Sequence, residues 1–172
     1  GQVAFDGGGD NPQPFDGWGS SLKLEYDLGT MTLTSVSAFE TTHGSSRADI
    51  DGGNLVNGPG FIPFPSDTKD SVNHLRQLTQ ELRLASNDTA PFSWQAGAYF
   101  FDSELRVTTD PGFAPPTTLQ HDNRSWALFG QASYQASDAL TLSAGLRLTE
   151  DRKNLRVVAS ANTQAPVAVA DQ

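Results

Sequence analysis

Every second residue between 139 and 149 is apolar. Leu140, Leu142, Ala144, Leu146 and Leu148 fall in one phase, and Thr141, Ser143, Gly145, Arg147 and Thr149 fall in the other. A period of two sends side chains alternately to opposite faces of an extended chain, so this segment reads as a strand with one apolar face. The preceding segment repeats the pattern, with Trp126, Leu128, Gly130, Ala132 and Tyr134 opposing Ser125, Ala127, Phe129, Gln131, Ser133 and Gln135. Phe129 is its one misfit. Phe92, Trp94, Ala96, Ala98 and Phe100 oppose a mixed set, Ser93, Gln95, Gly97, Tyr99, Phe101 and Ser103. Leu78, Leu82 and Leu84 oppose Gln77, Thr79, Glu81 and Arg83, and Leu22, Leu24, Tyr26 and Leu28 oppose Lys23, Glu25 and Asp27. Between 30 and 43, Val36 and Ala38 share one phase and Leu33 and Phe39 the other, so the pattern leaves that strand's faces unassigned.

Three short turn signals separate these runs in pairs: 27 to 30, 87 to 91 and 137 to 139. Each fits a tight antiparallel connection. The reading is an all-β, antiparallel up-and-down meander of about six strands, near 20 to 28, 30 to 43, 74 to 87, 91 to 104, 122 to 136 and 139 to 152. Residues 44 to 73 and 105 to 121 are rich in Gly, Pro, Asp and Asn and read as long loops. Short turns at one end and long loops at the other are the asymmetry of a transmembrane β-barrel. The expected division is an extracellular-loop remnant over 1–19, three barrel hairpins over 20–152 and the start of the next extracellular loop over 153–172.

Composition narrows the alternatives. With 37% apolar and 18% charged residues, the chain falls below the shares of a usual soluble domain, which suits strands that show uncharged polar groups to one side. A secreted β-sandwich shares that balance. The formal charge of -9 argues against nucleic acid, whose phosphates call for a basic stripe. Cysteine is absent, so no disulfide or thiolate metal site exists.

Aromatic placement separates barrel from sandwich. Trp126 and Tyr134 share a face roughly 26 Å apart, or roughly 19 Å along the normal of a sheet tilted by about 45°, comparable with the apolar band between two aromatic girdles. The expected lipid-facing set is Trp94, Phe100, Trp126, Leu128, Tyr134, Leu140, Leu142, Leu146 and Leu148.

The segments Leu33 to Phe39, Gln80 to Ser86, Trp94 to Phe100, Ala127 to Gln131 and Leu142 to Thr149 resemble, in that order, consecutive strands of TonB-dependent outer-membrane receptors. The resemblance covers about residues 20 to 155 and rests on the ordered set. It implies a segment of a 22-stranded barrel in the outer membrane of a Gram-negative bacterium, enclosing a plug domain and contacting TonB through a region expected to lie outside this sequence. Such receptors take up scarce nutrients such as iron-siderophore complexes. The partners implied are outer-membrane lipid, the rest of the barrel and plug, and a small-molecule substrate. A passive porin segment and a soluble carbohydrate-binding β-sandwich remain the alternatives.

No enzyme or cofactor signature emerges. His43, His74 and His121 lack a local ligand spacing and are expected as solvated rim residues. Asp49, Asp51, Asn54 and Asn57 miss the EF-hand pattern, and no Gly-x-Ser-x-Gly elbow is present. Two proline-flanked loop apices carry aromatics: Phe61 and Phe64 in 59 to 65, and Phe113 in 111 to 116. Proline lowers the entropy cost of holding an exposed ring, so these three are candidate ligand contacts; packing among the loops is the plainer reading. Lys23, Glu25, Arg76, Glu81, Arg83 and Arg147 are expected to pair across strands, with Arg76, in the leucine phase, above the membrane band.

Overall fold

The computed structural model describes residues 12–49, 53–54, 60–63, 67–87, 91–112, 114–160 and 168–169. They form one antiparallel sheet in chain order: β1 (Phe15–Asp27), β2 (Met31–Asp49), β3 (Asp67–Ser86), β4 (Phe92–Asp110), β5 (Thr117–Ser137), β6 (Leu140–Ser160) and the short β7 (Ala168–Val169). The six long strands make the expected meander, with short turns at one end and the longer connections at the other. A sandwich would need a second sheet about 10 Å away. The long strands make a single layer, in which Ala127 and Thr34 alone are buried.

The strands run further toward the long-loop end than their sequence suggests. Residues 15 to 19, 44 to 49, 67 to 73, 105 to 110, 117 to 121 and 153 to 160, all expected in loops, are strand. Their alternation persists, but its polarity changes sides. Leu105 and Val107 fall in the phase opposite to Ala98 and Phe100, and Leu119 falls opposite to Trp126 and Leu128. A search for one continuous apolar phase stops where that exchange occurs.

At the short-turn end neighbouring hairpins are tied together. Gly29 adopts φ 88°, which a side chain would strain, and its N–H donates to Asp27 Oδ1 at 2.7 Å. Asn87 spans to this turn: its Nδ2 donates to Gly29 O at 2.7 Å, and its Oδ1 accepts from Thr32 Oγ1 at 2.6 Å. At the other end Arg47 pairs with Asp67, joining the last residues of β2 to the first of β3.

Among the strand glycines Gly97 sits closest to a neighbouring strand's backbone. A Cβ there would lie 2.5 Å from Phe129 Cζ and 2.6 Å from the Leu82 carbonyl oxygen, whereas at Gly130 the nearest atom would be Gln95 O at 3.7 Å. Gly97→Ala is therefore expected to cost about 1–3 kcal/mol in denaturant unfolding of the intact protein, as overpacking does. Gly130→Ala is expected to stay within about 0.5 kcal/mol.

Candidate functional site

Residues directly opposite each other in an antiparallel ladder share a face, so the register assigns every strand. Phe100 pairs with Trp126, Leu128 with Leu148, and Tyr134 with both Phe92 and Leu142. Trp94 joins them through Ala132, and Leu146 through Gly130; Leu140 is in phase two residues below Leu142. The nine expected residues thus lie on one face. Leu33 pairs with Leu84 and Tyr26, and Phe39 with Leu78, which settles β2: Leu33 and Phe39 belong to this face, Val36 and Ala38 to the other.

The two faces differ in exposure. On the first, Leu146 is 86% exposed, and Leu82, Leu128 and Leu148 are also exposed. On the second, Thr34 and Ala127 are buried and Glu81, Arg83, Tyr99 and Phe129 are half-buried. In a single layer this asymmetry arises when the sheet curls toward the second face and crowds its side chains.

Apolar residues on the exposed face form a band eight residue steps deep on every long strand but β3, where it is six. It runs from Trp18 to Tyr26 on β1, Phe39 to Met31 on β2, Leu78 to Leu84 on β3, Phe100 to Phe92 on β4, Trp126 to Tyr134 on β5 and Leu148 to Leu140 on β6. On β1, β4 and β5 both ends are aromatic. Each edge cuts obliquely across the ladder. The upper edge climbs from Leu148 to the row of Trp126 and Phe100, then to the row of Leu78 and Phe39, then to Trp18. That climb is roughly 20 Å along the strands over about 24 Å of sheet width, a slope of about 40°. The lower edge descends in parallel from Tyr26 through Met31, Phe92 and Tyr134 to Leu140.

Apart from Ser20 on β1, a single polar knot interrupts the band. Ser37 Oγ donates to Gln80 Oε1, and Gln80 Nε2 donates to Ser35 Oγ at 3.0 Å. The three side chains satisfy one another.

Above the band the exposed face becomes charged. Arg124 Nε lies 2.7 Å from Asp102 Oδ2, Glu104 receives Arg76 at 3.2 Å and His74 at 3.0 Å, Arg152 lies 2.9 Å from Glu150, and Arg156 lies 3.7 Å from Asp122. The expected position of Arg76 above the leucines is thereby observed. His74 and His121 fall within strands, not at loop ends; His43 lies on β2, 4.0 Å from Asp16. Among the described residues no group of three His, Cys, Asp or Glu side chains is arranged to hold a metal ion.

The sheltered face reverses this order. At band height it carries Lys23 and Glu25, which pair along their own strand at 2.9 Å and not across strands as expected, together with Glu81, Arg83 and Arg147. The Arg147 guanidinium sits 5.9 Å from the ring centroids of both Tyr99 and Phe129, so Phe129, the misfit of the sequence pattern, is a cation–π partner. Higher up, one register row is apolar across all six strands apart from a glycine: Phe15, Gly44, Val72, Val107, Leu119 and Val157. Sequence reasoning missed this row because it lies in segments read as loops; the charged residues of the exposed face fall mostly at the upper ends of the predicted strands, where Arg76 alone was expected above the band.

Of the candidate ligand contacts, Phe61 is half exposed and bridges to Asn54 in a small apical turn, where Asn54 N donates to Gly60 O at 2.7 Å. Phe64 and Phe113 lie outside the described residues, as do Asp51 and Asn57.

A double-mutant cycle between Arg147→Leu and Phe129→Leu, read by unfolding of the intact protein, is expected to give a coupling of about 0.5–1 kcal/mol. Zero coupling would remove the cation–π assignment.

The family model described as TonB dependent receptor-like, β-barrel matches residues 2–167. No curated protein matches the chain.

Proposed function

This chain belongs to the TonB-dependent receptor-like β-barrel family, and from that membership we propose that it forms adjoining wall strands of an outer-membrane receptor for active uptake of a scarce nutrient such as an iron-siderophore complex. The observation that carries the orientation is the pair of parallel oblique edges. A membrane is bounded by two planes, and planes cut tilted strands along oblique lines; the slope of about 40° lies within the 35–45° tilt of transmembrane barrels. Along the membrane normal the band measures roughly 20 Å, in the range of the apolar belt of such barrels. A soluble core has no reason to hold its depth nearly constant while sliding along the ladder.

In this reading Trp94, Phe100, Trp126, Leu128, Tyr134, Leu140, Leu142, Leu146 and Leu148 face hydrocarbon. The short turns lie in the periplasm and the longer connections outside the cell. β1 pairs with a further barrel strand and β6 with the strand that β7 begins, since six strands cannot close a barrel of this kind and an unpaired edge in lipid is prohibitive. The plug fills the lumen beside Glu81, Arg83 and Arg147, and TonB acts through a part of the receptor beyond these hairpins. Phe61, Phe64 and Phe113 form part of an outer vestibule for substrate.

The test is depth-dependent. Leu128→Arg and Leu142→Arg, which flank the middle of the band, are expected to cost about 2–4 kcal/mol in outer-membrane folding of the intact receptor, and Leu148→Arg, at its edge, about 0–1 kcal/mol. Ser143→Arg, on the opposite face, is expected to be mild. Normal membrane assembly of both mid-band variants would sink the reading.

A further inference from the structure

Toward the long-loop end the sheltered face turns aliphatic over two register rows. The upper row holds Val72, Val107, Leu119 and Val157; in the lower one Leu75, Leu105 and Leu155 continue the surface, with His121 between Leu105 and Leu155. Lys153 borders this surface from below, opposite Asn123 and two residues before Leu155. We propose that the two rows, with Lys153 and His121 at one corner, bind a saturated hydrocarbon chain ending in a carboxylate, and that this chemistry defines the substrate class of the receptor; the proposal rests on the function given above.

Three observations select this ligand. The surface is open, with Leu119 38% and Leu155 44% exposed. The β4–β5 connection does not fold over it, because Gly112 lies against the start of β3, where an added Cβ would meet Asp67 O at 2.3 Å. Contiguous apolar surface left open in this way marks a binding site. Second, a planar ring is held best by an aromatic or guanidinium face, and from β3 to β6 these rows carry no Phe, Tyr, Trp or Arg. Their branched side chains suit a saturated chain. The third observation is charge. The two rows contain no carboxylate, and among the described residues Lys153 has no ion-pair or hydrogen-bond partner. Asp151, the acid on the same face, lies about 7 Å further down the strand. An anion at this corner therefore meets Lys153 without displacing a partner. Lys153 and His121 are diagonal neighbours across β5 and β6, about 7–8 Å apart, a separation that long side chains span. The ammonium takes one carboxylate oxygen and an imidazole N–H the other. From there the chain crosses about 10 Å of sheet over Leu119, Leu105 and Val107 on β5 and β4.

The intact receptor in nanodiscs is titrated by calorimetry with octanoate, whose chain is of that length, with octanol and with butyrate, each against empty nanodiscs. Octanoate is expected to bind the receptor, and octanol and butyrate each about tenfold more weakly. Octanoate affinity is expected to fall about tenfold in Lys153→Gln, the loss of roughly one charge-assisted contact. Lys153→Arg is expected to keep most of it. Arg152→Gln, which removes the adjacent cation from the other face, is expected to leave it unchanged. No octanoate binding beyond that of empty nanodiscs, equal affinity for octanol or butyrate, or equal affinity in Lys153→Gln and Arg152→Gln would each overturn the proposal. His121→Gln, expected to weaken octanoate binding several-fold, carries the same test if Lys153→Gln fails to assemble. Failure of the barrel reading looks different: Leu128→Arg and Leu142→Arg would then assemble normally, whereas a receptor that assembles as expected and ignores octanoate refutes this substrate class alone.

Discussion

Ladder register is the constraint on which every other feature depends. Inside hydrocarbon no water replaces a lost backbone hydrogen bond, so the strands must pair without interruption across the whole apolar band. A slip of one residue would also exchange the faces, turning Leu128 and Leu146 to the sheltered side and Arg147 to the exposed side. The irregularities respect this. Register shifts occur between Thr42 and Gly44 against β3, between Val72 and His74 against β4, between Thr118 and Leu119 against β6, and between Gln135 and Ser137 beside the last short turn. The first three lie above the band and the fourth at its lower edge, where water can satisfy a displaced peptide group.

The same requirement explains the serine and glutamine knot. Ser35, Ser37 and Gln80 interrupt the apolar band, and each unsatisfied polar group there would cost several kcal/mol. Their side chains close on one another across β2 and β3. Because Gln80 lies opposite Ser37 in the register, the knot also links the two strands at one particular pairing.

How much of this was legible in the sequence follows from what a period of two can and cannot carry. The leucines of β6 announced their face because every second residue is apolar and nothing interrupts them. β2 did not, because its outward serines satisfy Gln80 and its inward Val36 and Ala38 are as apolar as Leu33; only the neighbours resolve it. The upper halves of the strands were read as loops because periodicity was sought in one phase, and above the band the phase exchanges. Leu105, Val107 and Leu119 are inward while Arg106, Gln120 and Arg124 are outward. That exchange is physically required once the outer surroundings turn from hydrocarbon to water. It was available in Arg152-Lys153-Asn154-Leu155-Arg156-Val157, where apolar residues return in the opposite phase.

Strand length then connects the fold to its task. A tilted strand needs about 9–11 residues to span a bilayer. β3, with 20 residues, and β5 and β6, with 21 each, are about twice that long, so the sheet continues well above the band. Raising the wall in this way shortens the connection between β2 and β3 to 50–66 and that between β4 and β5 to 111–116, and the Arg47–Asp67 pair clamps the base of the former. Shorter, anchored loops have less conformational entropy to lose when they close on a ligand. In the proposed vestibule an approaching molecule would meet a stiff inward wall of Val72, Val107, Leu119 and Val157 beneath those loops. Selectivity in such a vestibule rests partly on strand-borne side chains, whose positions the ladder sets, and only partly on the loop tips.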